Sequence, residues 1–159
     1  MKQETFTTQY TVCTFDELSL PYQHLITMAK EQTQKSYSPY SHFAVGAAVL
    51  LDNGEVFAGS NQENAAYPSG LCAERTAMFF ANAQYPHTPA QALAIAAFTN
   101  GDFTDEPTAP CGACRQVLLE TESRFGQNIE ILLYGKEGIY CIDSVRSLLP
   151  LCFTKENLG

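Results

Sequence analysis

The sequence predicts an α/β domain of three layers, with helices on both faces of one mixed five-stranded sheet. Three observations carry that expectation. Apolar runs of strand length alternate with helical patterns along the chain, the arrangement that buries a sheet between helices. The dipeptide Asn53-Gly54 stands between two apolar runs, a hairpin signal that places an antiparallel pair in the sheet. The chain has 159 residues, of which 45% are hydrophobic and 16% charged, enough for one domain with one ordinary core. Residues 1–159 therefore read as a single domain, with no repeat, low-complexity tract or linker to divide it.

The elements follow in order. Residues 1–14 read as a loosely ordered extension. Asp16 or Ser19 can cap a helix running to about Lys35, with Leu25, Ile26, Met28 and Ala29 turned inward. The segment YSPYS holds Pro39 and reads as turns. HFAVGAAVLL is a buried strand, Asn53-Gly54 its turn, and EVFAGSN the returning strand. NQENAAYPSG is loop. LCAERTAMFFANAQ, residues 71–84, carries an apolar stripe at helical spacing. ALAIAAF, 92–98, is a buried strand, and TNGDFTDEPTAP a polar, acidic loop. CGACRQVLLETES reads as a helix with Pro110 near its first turn, where a missing N–H costs nothing. IEILLY and GIYCI are short strands joined by GKEG. A short helix near Ser144–Leu148 and a polar tail at 154–159 finish the chain.

Charge narrows the partners. Lys plus Arg number 9 and Asp plus Glu 17, a net charge of −8. An acidic surface repels a phosphate backbone, so no nucleic acid is expected. MKQETFTTQY lacks the apolar centre of a signal peptide, and no apolar run reaches ~20 residues, so no membrane partner is expected. These features place the protein in the cytoplasm. There thiols and metal ligation are the expected state of the six cysteines rather than disulfides.

The chemistry concentrates in Cys72-Ala73-Glu74 and Pro110-Cys111-Gly112-Ala113-Cys114. Cys111 and Cys114 are spaced i, i+3 in the first turn of a helix, so both sulfurs can grip one ion. Cys72 also starts a helix, where backbone N–H groups and the dipole favour thiolates. Three protein ligands leave a tetrahedral Zn²⁺ with one open position, the pattern of a catalytic site. Glu74, two residues from a ligand, can stand beside the metal without binding it and shuttle protons. Cysteine ligands with a neighbouring, non-ligating Glu are a known signature of zinc deaminases.

Here the chain resembles the cytidine deaminase family, in its small homotetrameric branch. The resemblance rests on YSPYSHFAVGAAVL, GSNQENAAY, CAERTA, PCGACRQV and LLPLCF, and covers about Tyr37 to Phe153. It implies a cytidine deaminase-like fold and hydrolytic deamination of cytidine and deoxycytidine to uridine and deoxyuridine. It implies one Zn²⁺ per chain on Cys72, Cys111 and Cys114, with Glu74 as the catalytic proton shuttle. Asn61 and Glu63 correspond to the residues that hold the ribose hydroxyls, and Phe43 to the aromatic that packs against the substrate. Ala65 and Ala73 complete the expected substrate wall. Arg75 corresponds to the cation beside the zinc thiolates, where it offsets the −1 charge of Zn²⁺ with three thiolates. The resemblance also implies a homotetramer with composite active sites, Tyr67 reaching the ribose from one neighbouring subunit and Phe153 covering the base from another.

Blander readings compete. Three cysteines can form a structural zinc site, but such a site takes a fourth Cys or His, and His24, His42 and His87 sit in no ligand spacing. Cys13, Cys141 and Cys152 read as isolated, inert buried thiols. The acidic segment Asp102–Glu106 reads as a solvated face. The nearest functional alternatives are a deaminase of another aminopyrimidine nucleoside, such as a nucleoside antibiotic, and a non-catalytic zinc-binding protein. Three features depart from the family pattern: the long N-terminal extension, the long stretch between Cys72 and Cys111, and the pairs Gly70-Leu71 and Leu151-Cys152.

Overall fold

The computed structural model describes all 159 residues. In chain order the main elements are β1 (Thr11–Cys13), α1 (Leu20–Gln32), β2 (Ala44–Leu51), β3 (Val56–Ser60), α2 (Ala73–Gln84), β4 (Ala90–Thr99), β5 (Asp102–Phe103), α3 (Gly112–Phe125), β6 (Glu130–Gly135) and β7 (Gly138–Ile142). The sheet order is β1-β7-β6-β4-β2-β3, with β5 beside β4. Every pairing is antiparallel except β4 with β6, which are joined by the crossover through α3. No helix is long and apolar enough to cross a membrane.

The three-layer arrangement is as the sequence predicts, and it follows from alternation along the central strands. Ala47, Val49, Leu51, Leu93, Ile95, Ile131 and Leu133 face the cluster built by α2 and α3. Ala48, Leu50, Ala92, Ala94, Ala96 and Leu132 face α1 through Leu25, Ile26 and Ala29. The α1 face is mostly alanine because α1 lies close to the strands. At Gly46 a Cβ would sit 2.0 Å from the Ala29 carbonyl oxygen, so no side chain fits. Ser19, not Asp16, stands at the start of α1, and the helix tightens into a 3₁₀ turn over Thr33–Lys35. Met28 is only half-buried.

Five of the strands are the predicted ones, and two short ones enlarge the sheet. β5 arises because Asn100 and Gly101 both take positive φ, 53° and 84°, closing a two-residue turn between paired Thr99 and Asp102. At Asn53-Gly54, by contrast, only the glycine has positive φ, 87°, and Gly54 N–H donates to Leu51 in a longer loop. β1 corrects the reading of residues 1–14 as loose. Thr11–Cys13 pair with β7, and the Tyr10 ring packs 4.7 Å from that of Tyr140. The tail at 154–159 folds back as a 3₁₀ turn in which Asn157 Oδ1 accepts from Thr154 N–H at 2.8 Å.

The acidic segment after β4 is an exposed face, and it is also tied down. Lys136 pairs with Asp102 at 2.6 Å and with Asp105 at 2.9 Å. The N–H groups of Lys136 and Glu137 donate to the carbonyls of Thr104 and Asp105. Gly135 permits this close approach, since a Cβ there would lie 2.5 Å from the Asp105 oxygen. The long stretch between the cysteine motifs is therefore strapped to the β6–β7 turn.

Topology then places the site. β3 and β4 both run antiparallel to β2, so they run the same way. The helices that follow them, α2 and α3, start from the same end of the sheet, beyond the carboxyl ends of those strands.

Candidate active site

Cys72 is the N-cap of α2 and Cys111 the N-cap of α3, both in extended backbone. Neither sulfur caps its own helix. They meet instead: Cys72 Sγ lies 3.7 Å from Cys111 Sγ, and Cys111 Sγ 3.5 Å from Cys114 Sγ, with all three sulfurs within 4.8 Å. Zn–S bonds of about 2.3 Å in a tetrahedron require sulfurs about 3.8 Å apart. The trio fits one zinc ion. Cys114 is buried, Cys72 half-buried and Cys111 exposed, so the trio is reachable from solvent on one side.

The electrostatics of the cluster favour anions. A hydrogen bond with Cys114 lowers the Cys72 thiol to about 5, with Arg75 and Cys111 adding to the effect against burial. The same hydrogen bond, burial and the nearby Glu74 carboxylate push Cys114 far up. Ligation of a metal by these sulfurs releases thiol protons. Arg75, one helical turn from Cys72, donates from Nη2 to its sulfur at 3.4 Å. Glu74 is 5% exposed, and burial, then the negative charge on Cys72, raises its carboxyl above the usual range. A buried carboxyl beside the sulfurs is placed for general acid–base work.

A cavity of about 520 Å³ opens beside Cys72. Its wall brings together Asn61, Glu63, Tyr67, Cys72 and Arg75 from the predicted set. It does not include Glu74, Cys111, Cys114, Phe43, Ala65, Ala73 or Phe153, so of the sulfur trio only Cys72 reaches the wall. Phe43 is half-buried, Ala65 exposed and Ala73 fully buried, and Phe153 lies 58% exposed with its carbonyl held by Gln116 at 2.8 Å. Asn61 is a brace: its Oδ1 accepts from Val45 N–H at 2.8 Å and from the Ser36 hydroxyl, and its Nδ2 donates to the Phe43 carbonyl at 2.9 Å. Glu63 Oε2 accepts from the N–H groups of Tyr40 (2.9 Å) and Ser41 (3.2 Å), and these bonds, with the Ser41 hydroxyl first, lower its carboxyl.

Sequence reasoning missed four contributors. Tyr40 and Ser41 form part of the wall, and the Tyr40 ring meets that of Tyr67 edge-on at 6.0 Å. Arg115 donates from Nε to the Pro110 carbonyl and from Nη1 to the Leu148 carbonyl, both at 2.8 Å, holding the residue before Cys111 in place. Glu122, 3% exposed, accepts from Ile129 N–H, Val145 N–H and the Ser144 hydroxyl, and ties α3 to the 3₁₀ turn at Val145–Leu148. Arg115 stood in the quoted CRQV stretch, but nothing local pointed to its partners.

Comparison with known proteins decides the family. Residues 21–125 match the model of the cytidine and deoxycytidylate deaminase zinc-binding region. The chain belongs to the cytidine deaminase family. It is 40% identical over 135 residues to the cytidine deaminase of Sporosarcina psychrophila, covering 85% of this chain and 93% of that one. Identity to the cytidine deaminase of Halalkalibacterium halodurans is 40% over 137 residues, covering 86% and 97%. Among solved structures, a cytidine deaminase from Burkholderia pseudomallei superposes with a TM-score of 0.70 at 42% identity, covering 83% of this chain and 98% of that one. One from Mycobacterium tuberculosis gives 0.65 at 32% identity, covering 86% and 99%. The sulfur trio and these likenesses make this family member a zinc-dependent enzyme.

Proposed function

We propose that this deaminase hydrolyses cytidine and deoxycytidine to uridine and deoxyuridine, releasing ammonia. The observation that carries the reading is the buried carboxyl of Glu74 beside three converging sulfurs, next to a cavity lined by Asn61 and Glu63. Cys72, Cys111 and Cys114 would hold a zinc ion, with Arg75 offsetting the charge of the three thiolates. Bound there, zinc supplies Lewis-acid activation of the attacking water. Glu74 takes a proton from that water and passes it to N3 of the cytosine ring. The water oxygen adds at C4. Glu74 then relays a second proton to the amino group, and the C4–N bond breaks to free ammonia.

Glu63 uses Oε2 on backbone N–H groups, which leaves Oε1 to accept from a ribose hydroxyl. Asn61 keeps one amide hydrogen beyond its bond to Phe43, and donates it to the same sugar. Phe43, Ala65 and Ala73 shape the base end. The carboxylate at the sugar disfavours a neighbouring phosphate, and the net charge of −8 disfavours a polynucleotide.

The site is completed by assembly into a homotetramer. Tyr67 at 77% and Phe153 at 58% exposure are rings with little cover from their own chain. On α2, Phe79 and Phe80 are about half exposed, and Phe80 packs edge-on against Phe57 at 5.4 Å. An aromatic lid from a neighbour excludes water, which strengthens the action of the metal and Glu74.

The test is a panel of cytosine nucleosides, nucleotides and oligonucleotides incubated with purified protein, with ammonia release and zinc content measured together. Turnover of cytidine and deoxycytidine with one zinc per chain is expected. Zinc-loaded protein that turns over only a different aminopyrimidine nucleoside, only oligonucleotides, or nothing refutes the reading.

A further inference from the structure

β1 is the terminal strand of the sheet, and its one neighbour is β7. Cys13 ends β1 opposite Ile139, and Cys141 lies opposite Thr11. Ile139 and Cys141 are two residues apart on one strand, so they share a face, and Cys13 emerges on that face too. The two thiols, expected to be isolated, stand with their sulfurs 2.9 Å apart, and both are half-buried. Neither touches the zinc trio. The described chain holds one group of three or more metal-ligating side chains, and this pair is not part of it.

We propose that Cys13 and Cys141 are a dithiol modification site that takes a low-molecular-weight disulfide as oxidant and closes into an internal disulfide. The bond staples the N-terminal strand to the sheet edge. Closing it to about 2.05 Å requires the sulfurs to move by less than about 1 Å. The exchange balances. The Cys13 thiolate attacks one sulfur of the oxidant and expels the first thiol. The Cys141 thiol gives up its proton, attacks the Cys13 sulfur of the mixed disulfide and expels the second. Two protein thiols are oxidised and one disulfide is reduced to two thiols. Burial, then the bond to Cys13 and that residue's charge, hold the Cys141 thiol up at about 12. Cys13, on the terminal strand, is the attacking sulfur. Its conversion to a mixed disulfide removes part of what holds the Cys141 proton.

The consequence is mechanical. The bond joins residues 128 positions apart and constrains nearly the whole unfolded chain. In the reduced form, β1 is three residues long and is held by one strand, by the ring contact of Tyr10 and by the Thr8 hydroxyl on the Ser147 carbonyl. Ser147 lies in the 3₁₀ turn whose Leu148 carbonyl receives Arg115, so the stapled segment leans on the brace of Pro110.

The test uses zinc-loaded protein equilibrated with a series of reduced and oxidised glutathione, then quenched, alkylated and weighed intact. The wild type is expected to lose two hydrogens and carry no glutathione. Peptide mapping is expected to join Cys13 to Cys141, and the thermal midpoint to rise by roughly 5–15 °C. Cys141→Ser is expected to stop at one glutathione on Cys13, and Cys13→Ser to resist modification at Cys141. Wild-type protein that keeps both thiols, holds a stable glutathione on Cys13, or cross-links through Cys152 or the zinc cysteines overturns the proposal. So does an internal bond that leaves the midpoint unchanged. The wild-type mass and peptide map decide the matter even where a serine variant folds poorly.

Discussion

Replacing Arg75 with alanine removes the guanidinium that donates to the Cys72 sulfur at 3.4 Å. A hydrogen bond to a charged group contributes about 1.5–3 kcal/mol. Partners that hydrogen-bond metal ligands affect metal affinity about 10–100-fold, which is about 1.4–2.7 kcal/mol. The two estimates agree, so zinc should bind about 10–100-fold more weakly in Arg75→Ala at neutral pH. The pH dependence has a definite sign. Cys72 is lowered to about 5, so its thiolate is present above that value and is lost as pH falls through it. Without Arg75 that pKa rises, while the bond with Cys114, the larger cause of its lowering, remains; protons compete with zinc across the interval between the two values. The affinity gap between wild type and variant should therefore widen as pH is lowered through that interval, and close in alkali. Chelator competition at a series of pH values measures it. Arg75→Lys should recover part of the loss, since it restores the charge but not the planar fork. Arg75→Ala with wild-type affinity at every pH would refute the assigned role.

Glu74→Gln should cut turnover by about 10⁴-fold while zinc stays bound; near-normal turnover excludes the proton shuttle. Because burial raises the Glu74 carboxyl, wild-type activity should fall on an acid limb above the usual carboxylate range. The Gln variant should be the more heat-stable at neutral pH, a gain that vanishes below about pH 4, where both states of the wild type are protonated. Glu122→Ala strands three buried donors and should cost about 3 kcal/mol or more, a Tm loss on the order of 10 °C; an unchanged Tm by calorimetry removes Glu122 from the frame. Gly135→Ala drives a methyl into the Asp105 and Pro107 backbone and should cost about 1–3 kcal/mol in urea unfolding, so a neutral result disproves the strap. Phe153→Ala should leave the mass in solution that of a tetramer while lowering activity. A fully active monomer refutes the composite site, and an indifferent tetramer refutes only the lid.

Legibility varied with how local each signal was. Apolar runs and helical stripes announced all three main helices and the five long strands. The same dipeptide misled twice. Asn53-Gly54 was read as the tight turn but closes a longer loop, whereas Asn100-Gly101, read as part of a polar loop, makes the two-residue turn. Turn type depends on where flanking residues find partners, and β5 finds Phe98 and Thr99 on β4. Asn61 showed how much local signal leaves out: the motif marked it for the ribose, and the structure adds its bonds to the backbone of Val45 and Phe43.

By itself the sequence singled out the three cysteines that converge, the proposed proton carrier Glu74 and the helix starts that hold them. Those depend on spacing within one helical turn and on caps, both short-range properties. Only the tertiary structure decided that Arg115 reaches Leu148, that Glu122 receives three donors, that Lys136 clamps the acidic loop and that Cys13 meets Cys141. In each case the partners lie many residues apart or on separate elements, and nothing in either segment encodes the other's position. Packing α1 on one face and α2 with α3 on the other sets which strand edges and helix ends come together. Those distances are a property of the whole core, and no stretch of the chain carries them alone.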